Sequence, residues 1–160
     1  MLPYQNPHTS SALVASMSTI HKGSSKCVVE FSLDYAPNYT KNIKFSWVEV
    51  DIGHHRKFLP NHYTIRHGSI GTGNALRTWD FQARVLDSDD WTTLRSHDCD
   101  DSLNEAKGST SSWPVNAVAP SAGGYRFFRI LQCGANSSGN DCLFCGGIDL
   151  YGKLIEKTGV

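Results

Sequence analysis

Short runs of alternating apolar and polar side chains, separated by turn residues, constrain the fold of this chain more than any other feature. In FSWVEVDIG (residues 45–53), Val48 and Val50 alternate with polar or aromatic neighbours, and Gly53 ends the run. Such a period of two is typical of a strand with one buried face. The same period or a β-favouring composition recurs in NHYTIRH (61–67), TWDFQARVL (78–86), WTTLRSH (91–97), GYRFFRILQ (124–132) and GGIDLYGKL (146–154).

No long run with the period of an amphipathic helix interrupts these segments. Strands that do not alternate with helices predict an all-β, antiparallel sandwich or barrel. A length of 160 residues suits one domain, which we expect to span 1–160 with a core over about 12–152. Residues 12–20 could be a strand or one short helix. Residues 21–44 are predicted to be mostly loop, with a short bridge at 32–35.

Two polar segments, 99–112 and 132–142, are predicted to be long loops. Long loops on a rigid sandwich commonly carry binding sites. The chain has 15 Lys plus Arg against 15 Asp plus Glu. Because a nucleic-acid backbone requires a basic surface, this balance predicts no nucleic-acid partner. No apolar stretch is long enough for a membrane span, and a signal peptide is not expected.

The five cysteines are odd in number and irregularly spaced. This favours a reducing, intracellular and cytoplasmic location over a secreted disulfide framework. Two segments, Asn38-Tyr39-Thr40 and Asn136-Ser137-Ser138, fit the glycosylation pattern, which matters only in a secreted protein.

The glycine-rich loop GSIGTGNAL (68–76) raises the question of a phosphate site. A dinucleotide-binding loop requires a third glycine and a following helix whose N-terminus faces the pyrophosphate. Here residue 76 is leucine, and the residues after Thr78 have the period of a strand. We therefore interpret the loop as a connection between strands.

No complete metal or catalytic motif is present. Cys142 and Cys145 form a CxxC pair, but the second pair or the spaced histidines of a structural zinc site are missing. The acidic segment 98–105 lacks the spacing of a calcium-binding EF-hand, so a solvated loop is favoured and a cation site stays an alternative. We predict no metal, no cofactor and no catalytic residue; an enzyme using the Cys- and His-rich loops is the weakest hypothesis.

Four arginines lie within or beside the aromatic strands and allow two interpretations. Each can pair with an Asp or Glu of the sheet itself, or offer its planar fork to a ligand carboxylate. Internal pairing is favoured for all of them: Arg66, Arg77, Arg126 and Arg129.

An ordered set of motifs over roughly residues 28–152 resembles the discoidin-like, or galactose-binding-like, β-sandwich family. The matching segments are SWVEVDIG (46–53), PNHYTIR (60–66), ALRTWDF (75–81), DWTTL (90–94), YRFFRI (125–130) and GIDLYG (147–152). The run from Asp98 to Glu105, with Gly108-Ser109-Thr110 and Trp113-Pro114 after it, resembles most the domain inside HECT-type ubiquitin ligases. DOC, muskelin and BTB proteins are similar more distantly.

The resemblance implies an antiparallel jelly-roll sandwich of about eight strands with ligand loops at one end. The family has no shared enzyme activity, and its members bind proteins, peptides, sugars or lipids, so the fold alone does not define the ligand. We expect a non-catalytic, monomeric module that binds a protein or peptide partner, within a ubiquitin-ligase-type protein. A carbohydrate-binding, lectin-like module is the alternative, with Trp113 and segment 98–105 as its sugar site. The disulfide of extracellular members is not expected, because Cys27 and Cys145 do not lie at the domain ends.

Five loop residues near the matched strands are the candidate ligand contacts. They are Tyr39, His67, Asn74, Arg77 and Asn136. Tyr39 would supply apolar contact and Arg77 would clamp an acidic group of the partner.

Overall fold

The computed structural model describes residues 4–30 and 36–156, and in this part the chain is built of strands. The described residues form eight strands and one 3-10 helix (Ser25–Val29). The strands are β1 (Val14–Met17), β2 (Trp47–Asp51), β3 (Arg56–His67), β4 (Trp79–Arg84), β5 (Thr92–His97), β6 (Thr110–Pro114), β7 (Phe127–Gln132) and β8 (Cys145–Glu156). No helix among these residues is long and apolar enough to cross a membrane. Segment 12–20 thus contains a strand, while the bridge predicted at 32–35 lies outside the described residues.

The strands form two sheets that enclose one core. The larger sheet has the order β1-β2-β7-β4-β5 and the smaller one the order β6-β3-β8. All pairings between these named strands are antiparallel. The predicted all-β, antiparallel sandwich of about eight strands is therefore confirmed.

The alternation seen in the sequence sets which side chains face the core. Val48 and Val50 of β2 lie opposite Ile130 and Phe128 of β7, and all four are buried. Paired residues of antiparallel strands share one face of the sheet. These four side chains therefore form one wall of the core, and the residues next to them in sequence face outward.

Large aromatic side chains from both sheets fill the centre. Tyr63 of β3 stacks on Phe81 of β4 with ring centroids 4.2 Å apart. Trp79 of β4 packs edge to face on Trp113 of β6 at 5.1 Å. Each of these buried rings removes roughly 150–250 Å² from water, so the cluster holds the two sheets together.

Strand β6 corrects the sequence analysis, which predicted a loop over 99–112. Residues from Thr110 onward pair with β3, with Ser112 opposite Thr64 and Trp113 opposite Tyr63. The segment is polar except for one tryptophan, so it carries no alternation. Residues 110–114 form a strand because they pair with β3, and their own composition does not predict it.

The topology brings four of the five longest connections to one end of the sandwich. Because neighbouring strands are antiparallel, the ends of β3, β5 and β7 lie beside the starts of β2, β4, β6 and β8. Backbone hydrogen bonds join the connections, for example Asn38 N–H to Gly68 O and Ser137 N–H to Ala75 O, both 2.9 Å. We call this region the loop end; it comprises residues 18–30, 36–46, 68–78, 98–109 and 133–144. The opposite end comprises residues 52–55, 85–91 and 115–126.

Candidate functional site

A column of four rings runs into the loop end. His21 stacks on Tyr39 with centroids 5.1 Å apart, Tyr39 stacks on Phe144 at 4.1 Å, and Phe144 contacts His67 at 6.2 Å. Isolated β-bridges from Tyr39 to Lys22 and to Phe144 also fix its backbone. The predicted contact Tyr39 is half-buried in this column, so part of its surface is open to a ligand.

His67 forms the base of the column and is only 1% exposed. Its Nε2 lies 3.0 Å from the Gly73 carbonyl oxygen, which can only accept, so the proton is on Nε2. Nδ1 has no partner among the described residues. Burial is the main cause that lowers the pKa of His67; the nearby Arg77 lowers it too, while the Gly73 carbonyl opposes both. His67 is therefore neutral, and its hydrogen bond to Gly73 holds the glycine-rich loop (68–76) in place.

The glycine-rich loop connects β3 of one sheet to β4 of the other, as the sequence predicts. A Cβ at Gly68 would lie 2.4 Å from the Asn38 carbonyl oxygen, and Gly73 has a φ of +88°. Both positions disfavour any side chain. Close backbone packing therefore accounts for these two glycines.

Three asparagine side chains join the connection before β4 to the connection after β7. Asn136 Nδ2 donates to the Cys142 carbonyl at 3.0 Å, and its Oδ1 accepts from the backbone N–H groups of Ser138 and Asn140 at 3.0 and 3.1 Å. Asn140 Nδ2 donates to Asn74 Oδ1 at 3.2 Å. Asn136 is buried and shapes the loop, while Asn74 is half-buried.

Arg77 joins the connection before β4 to the segment after β5. Its Nη1 donates to the carbonyls of Leu76 and Leu103 at 3.0 and 2.9 Å, and its Nη2 lies 3.5 Å from the Glu105 carboxylate. One-fifth of the Arg77 side chain is exposed. The internal pairing favoured from the sequence is thus present, and only part of the guanidinium is open to a ligand.

The other three arginines are also engaged within the chain. Arg126 donates twice to the Asp51 carboxylate, at 2.7 and 2.6 Å. Arg129 Nε donates to Gln82 Oε1 at 2.8 Å, and Arg66 Nε donates to a backbone carbonyl of β8 at 3.2 Å. Pairing with a carboxylate of the sheet is therefore found at Arg126, whereas Arg129 bonds an amide side chain and Arg66 a backbone carbonyl.

A buried polar chain ties the segment after β5 to the core. Tyr63 Oη lies 2.7 Å from His97 Nε2, and His97 Nδ1 lies 2.6 Å from Asp100 Oδ2. Trp79 Nε1 donates to Tyr63 Oη at 3.0 Å, and Trp113 Nε1 donates to Asp100 Oδ2 at 3.1 Å. Burial raises the pKa of Tyr63 far above its ordinary value. Its protonated hydroxyl donates to His97, so each member of the chain has a partner.

The sugar site expected around Trp113 is a wrong prediction. Trp113 is only 4% exposed and packs in the core, so neither ring face is available for stacking on a sugar. Asp100, from the same predicted site, is held by Trp113 and His97. Within residues 4–30 and 36–156, no group of three or more His, Cys, Asp or Glu is arranged to hold a metal ion.

The remaining sequence motifs lie below the surface. Cys142 and Cys145 are free and buried, and burial raises the pKa of Cys145 to about 12. Both asparagines of the glycosylation patterns are buried as well. Asn38 donates its side-chain N–H to the Cys145 carbonyl at 2.8 Å, so in the folded chain neither Asn38 nor Asn136 presents its amide nitrogen at the surface.

Four of the five predicted contact residues lie in the loop end, and the fifth, His67, is the last residue of β3 directly beside it. Tyr39, Asn74 and Arg77 retain exposed surface, whereas His67 and Asn136 are buried. Sequence reasoning missed a set of exposed apolar side chains on the same end: Ile20, Ile43, Phe45 and Ile70. Scattered apolar residues within polar loops have no period, so the sequence offers no signal for them.

Phe45 stands out within that set. It is 64% exposed and has a φ of +61°. A bulky residue rarely adopts this backbone conformation, and such outliers cluster at binding and switch regions. Phe45 is therefore a candidate contact that the sequence analysis did not contain.

Several solved structures share the fold of this chain. CpGH89CBM32-5 from Clostridium perfringens, in complex with GalNAc-β-1,3-galactose, matches with a TM-score of 0.66 and 11% identity over 88% of this chain and 96% of that one. The lectin domain of lectinolysin, complexed with Lewis B antigen, matches with a TM-score of 0.65 and 14% identity over 87% and 92%. At such identity the likeness shows the fold alone. The chain therefore has the discoidin-like, galactose-binding-like β-sandwich fold.

Three proteins found by sequence comparison are more similar to this chain in sequence than these two solved structures are. E3 ubiquitin-protein ligase Ufd4 of Drosophila melanogaster is 38% identical over 118 residues, 73% of this chain, and E3 ubiquitin-protein ligase hecd-1 of Caenorhabditis elegans is 35% identical over 119 residues, 74% of it. BTB/POZ domain-containing protein At2g30600 of Arabidopsis thaliana is 34% identical over 114 residues, which are 67% of this chain and 13% of that protein. The chain spans 4% of the length of each ligase. No protein-family model matches. The resemblance to HECT-type ligases is thus confirmed.

Proposed function

We propose that this chain is a non-catalytic recognition module that recruits a protein or peptide partner to a ubiquitin-ligase-type protein. The observation that carries the proposal is the exposed apolar set on the loop end, with Phe45 and Ile70 exposed by 64% and 55%. Contiguous exposed apolar patches are typical of protein-binding sites, and these side chains on one end of the domain would supply such a patch. The similarity to two E3 ligases supports the setting, in which the ligase activity would belong to a longer chain inside the cell.

In this proposal the five predicted residues have two roles. Tyr39, Asn74 and Arg77 contact the partner, because each keeps exposed surface. His67 and Asn136 position the loops beneath them, because both are buried and hydrogen-bonded within the chain. Rigid, preformed loops reduce the entropy lost on binding, and the domain would act as a monomer without a cofactor.

The alternative function is carbohydrate binding. It is favoured by the solved structures of the same fold, two of which contain GalNAc-β-1,3-galactose and Lewis B antigen. A sugar site would need an exposed aromatic ring, and Phe45 now takes the place that Trp113 had in the sequence analysis. Because the same fold binds many kinds of ligand, the sugars in these complexes do not identify the ligand of this chain.

The deciding experiment compares a random peptide library with a glycan array, both probed with the purified domain. We expect peptides to be selected and the array to remain blank. In titration calorimetry with a selected peptide, Phe45→Ser and Ile70→Ser should each weaken binding by about 1–2 kcal/mol, the loss expected of an apolar anchor.

Leu86→Ser is the matched control, because Leu86 is equally exposed but lies at the opposite end. It should leave the affinity unchanged. Equal losses from Leu86→Ser and Phe45→Ser would contradict the placement of the site. Reproducible glycan signals without any selected peptide would favour the carbohydrate alternative.

A further inference from the structure

A cleft on the loop end is lined in part by Gln132, whose buried side-chain acceptor has no partner among the described residues. The cleft has a volume of about 350 Å³ and lies between the segment before β2 and the segment after β7. Its lining includes Lys44, Phe45, Gln132, Gly134, Gly139 and Asp141. None of the five residues predicted from the sequence lines it.

Gln132, the last residue of β7, supplies the unpaired acceptor. Its side chain is 1% exposed, and its Nε2 donates to the carbonyls of Gly134 and Asn140 at 2.9 and 3.1 Å. Because both partners can only accept, the amide cannot be turned around. The position of its Oε1 is therefore fixed, and this atom has no hydrogen-bond partner among the described residues. A donor that reaches this atom from the cleft would satisfy it and would be held there by a hydrogen bond.

Two further features favour a cationic donor. The Asp141 carboxylate makes no hydrogen bond or ion pair within the described part of the chain, while the backbone N–H of Asp141 is held by Asn42 Oδ1 at 2.7 Å. Phe45 exposes its ring at the same cleft, and an aromatic face attracts a cation. An ammonium group has three donors and no acceptor, which matches an amide oxygen, a carboxylate and a ring face.

We propose that this cleft binds the ammonium group of a lysine side chain on the peptide partner. The inference rests on the proposed function, since it names the chemistry of the partner at the loop end. A lysine fits because its slender stem can pass between residues as small as Gly134 and Gly139 to reach Gln132 Oε1. Lys44 on the rim carries the same charge and is exposed, so it weakens the affinity without blocking the cleft.

The test is an NMR titration of the labelled domain with Nα-acetyl-lysine amide. We expect saturable shifts at the Gln132 side-chain amide and at the backbone amides of Gly134 and Gly139, with a millimolar Kd as is usual for so small a ligand. Nα-acetyl-norleucine amide has nearly the same stem without the ammonium group and should cause no saturable shift.

Variants assign the contacts. Asp141→Asn and Gln132→Met should each weaken binding by about tenfold or more, the loss expected for a hydrogen bond to a charged group. Lys44→Met should tighten it. Asp90→Asn, an exposed carboxylate at the opposite end, is the control and should leave Kd unchanged. Because Asp141 is on the surface rim, its variant should fold even if Gln132→Met does not.

Three outcomes would overturn the inference: no saturable shift with the lysine probe, equal shifts with the norleucine probe, or equal Kd values for Asp141→Asn and Asp90→Asn. Saturable shifts with galactose, at the same amides and without any response to lysine, would assign the cleft to a sugar instead. If library peptides still bind in a manner that depends on Ile70, the proposed function stands while the lysine assignment fails.

Discussion

Replacing Tyr63 by phenylalanine is expected to lower the free energy of unfolding by about 2–4 kcal/mol. The hydroxyl both accepts from Trp79 Nε1 and lies 2.7 Å from His97 Nε2. Its removal leaves these two buried groups unpaired, and each unpaired buried group costs about 1–3 kcal/mol. For a domain of this size the melting temperature should fall by about 5–15 °C, measured by calorimetry or denaturant unfolding.

Tyr125→Phe is the matched control for this change. Tyr125 is also buried, but its hydroxyl makes a single hydrogen bond within the described residues, a donation to the Val118 carbonyl at 3.0 Å. Its loss should cost about 1 kcal/mol. If Tyr63→Phe were no more destabilising than Tyr125→Phe, the buried polar chain would not tie the segment after β5 to the core.

Acidification below pH 6.5 is expected to destabilise the fold through two buried histidines. Burial is the main cause that lowers the pKa of both His67 and His97 from 6.5. The folded state therefore binds fewer protons than the unfolded state in this range. Their contribution to stability is complete above pH 6.5 and is lost as the pH falls through the lowered values. Each histidine adds a slope of up to about 1.4 kcal/mol per pH unit.

The histidine variants separate this effect from other titrations. His67→Gln removes one titrating group and should reduce the slope between pH 6.5 and 5 by up to about half. His62→Gln is the control, because that ring is exposed on β3. Burial raises the pKa of Glu49, which acts in the opposite direction and is common to all variants. A free energy of unfolding that stays flat over this range in the unaltered chain would contradict the account.

The strands most readily predicted were those with one buried face. In β2 and β4, the burial of every second side chain appears in the sequence as an alternation of apolar and polar residues, as at Val48 and Val50. Strand β6 has no such alternation, because its polar residues become a strand only by pairing with β3. The ordered family motifs added to this, since they implied about eight strands where the alternation alone predicted six or more.

The loop end was predictable as a region, but its inner arrangement was not. Loop composition placed four of the five candidate residues in the loop end and His67 at the end of the neighbouring strand β3. The burial of Asn136 depends on contacts with residues such as Asn74, 62 positions away, and no local pattern encodes such a contact. The exposure of Phe45 depends on its backbone conformation, which an isolated phenylalanine before a strand does not reveal.

Site-specific photocrosslinking tests the central claim most directly. A benzophenone amino acid is placed at Phe45 on the loop end and, in a second protein, at Val118 on the opposite end, where the side chain is also exposed. We expect a protein adduct in cell lysate from position 45, lost when excess unlabelled domain competes, and no such adduct from position 118. The same adduct from both positions, or an adduct from position 118 alone, would contradict recognition through the loop end.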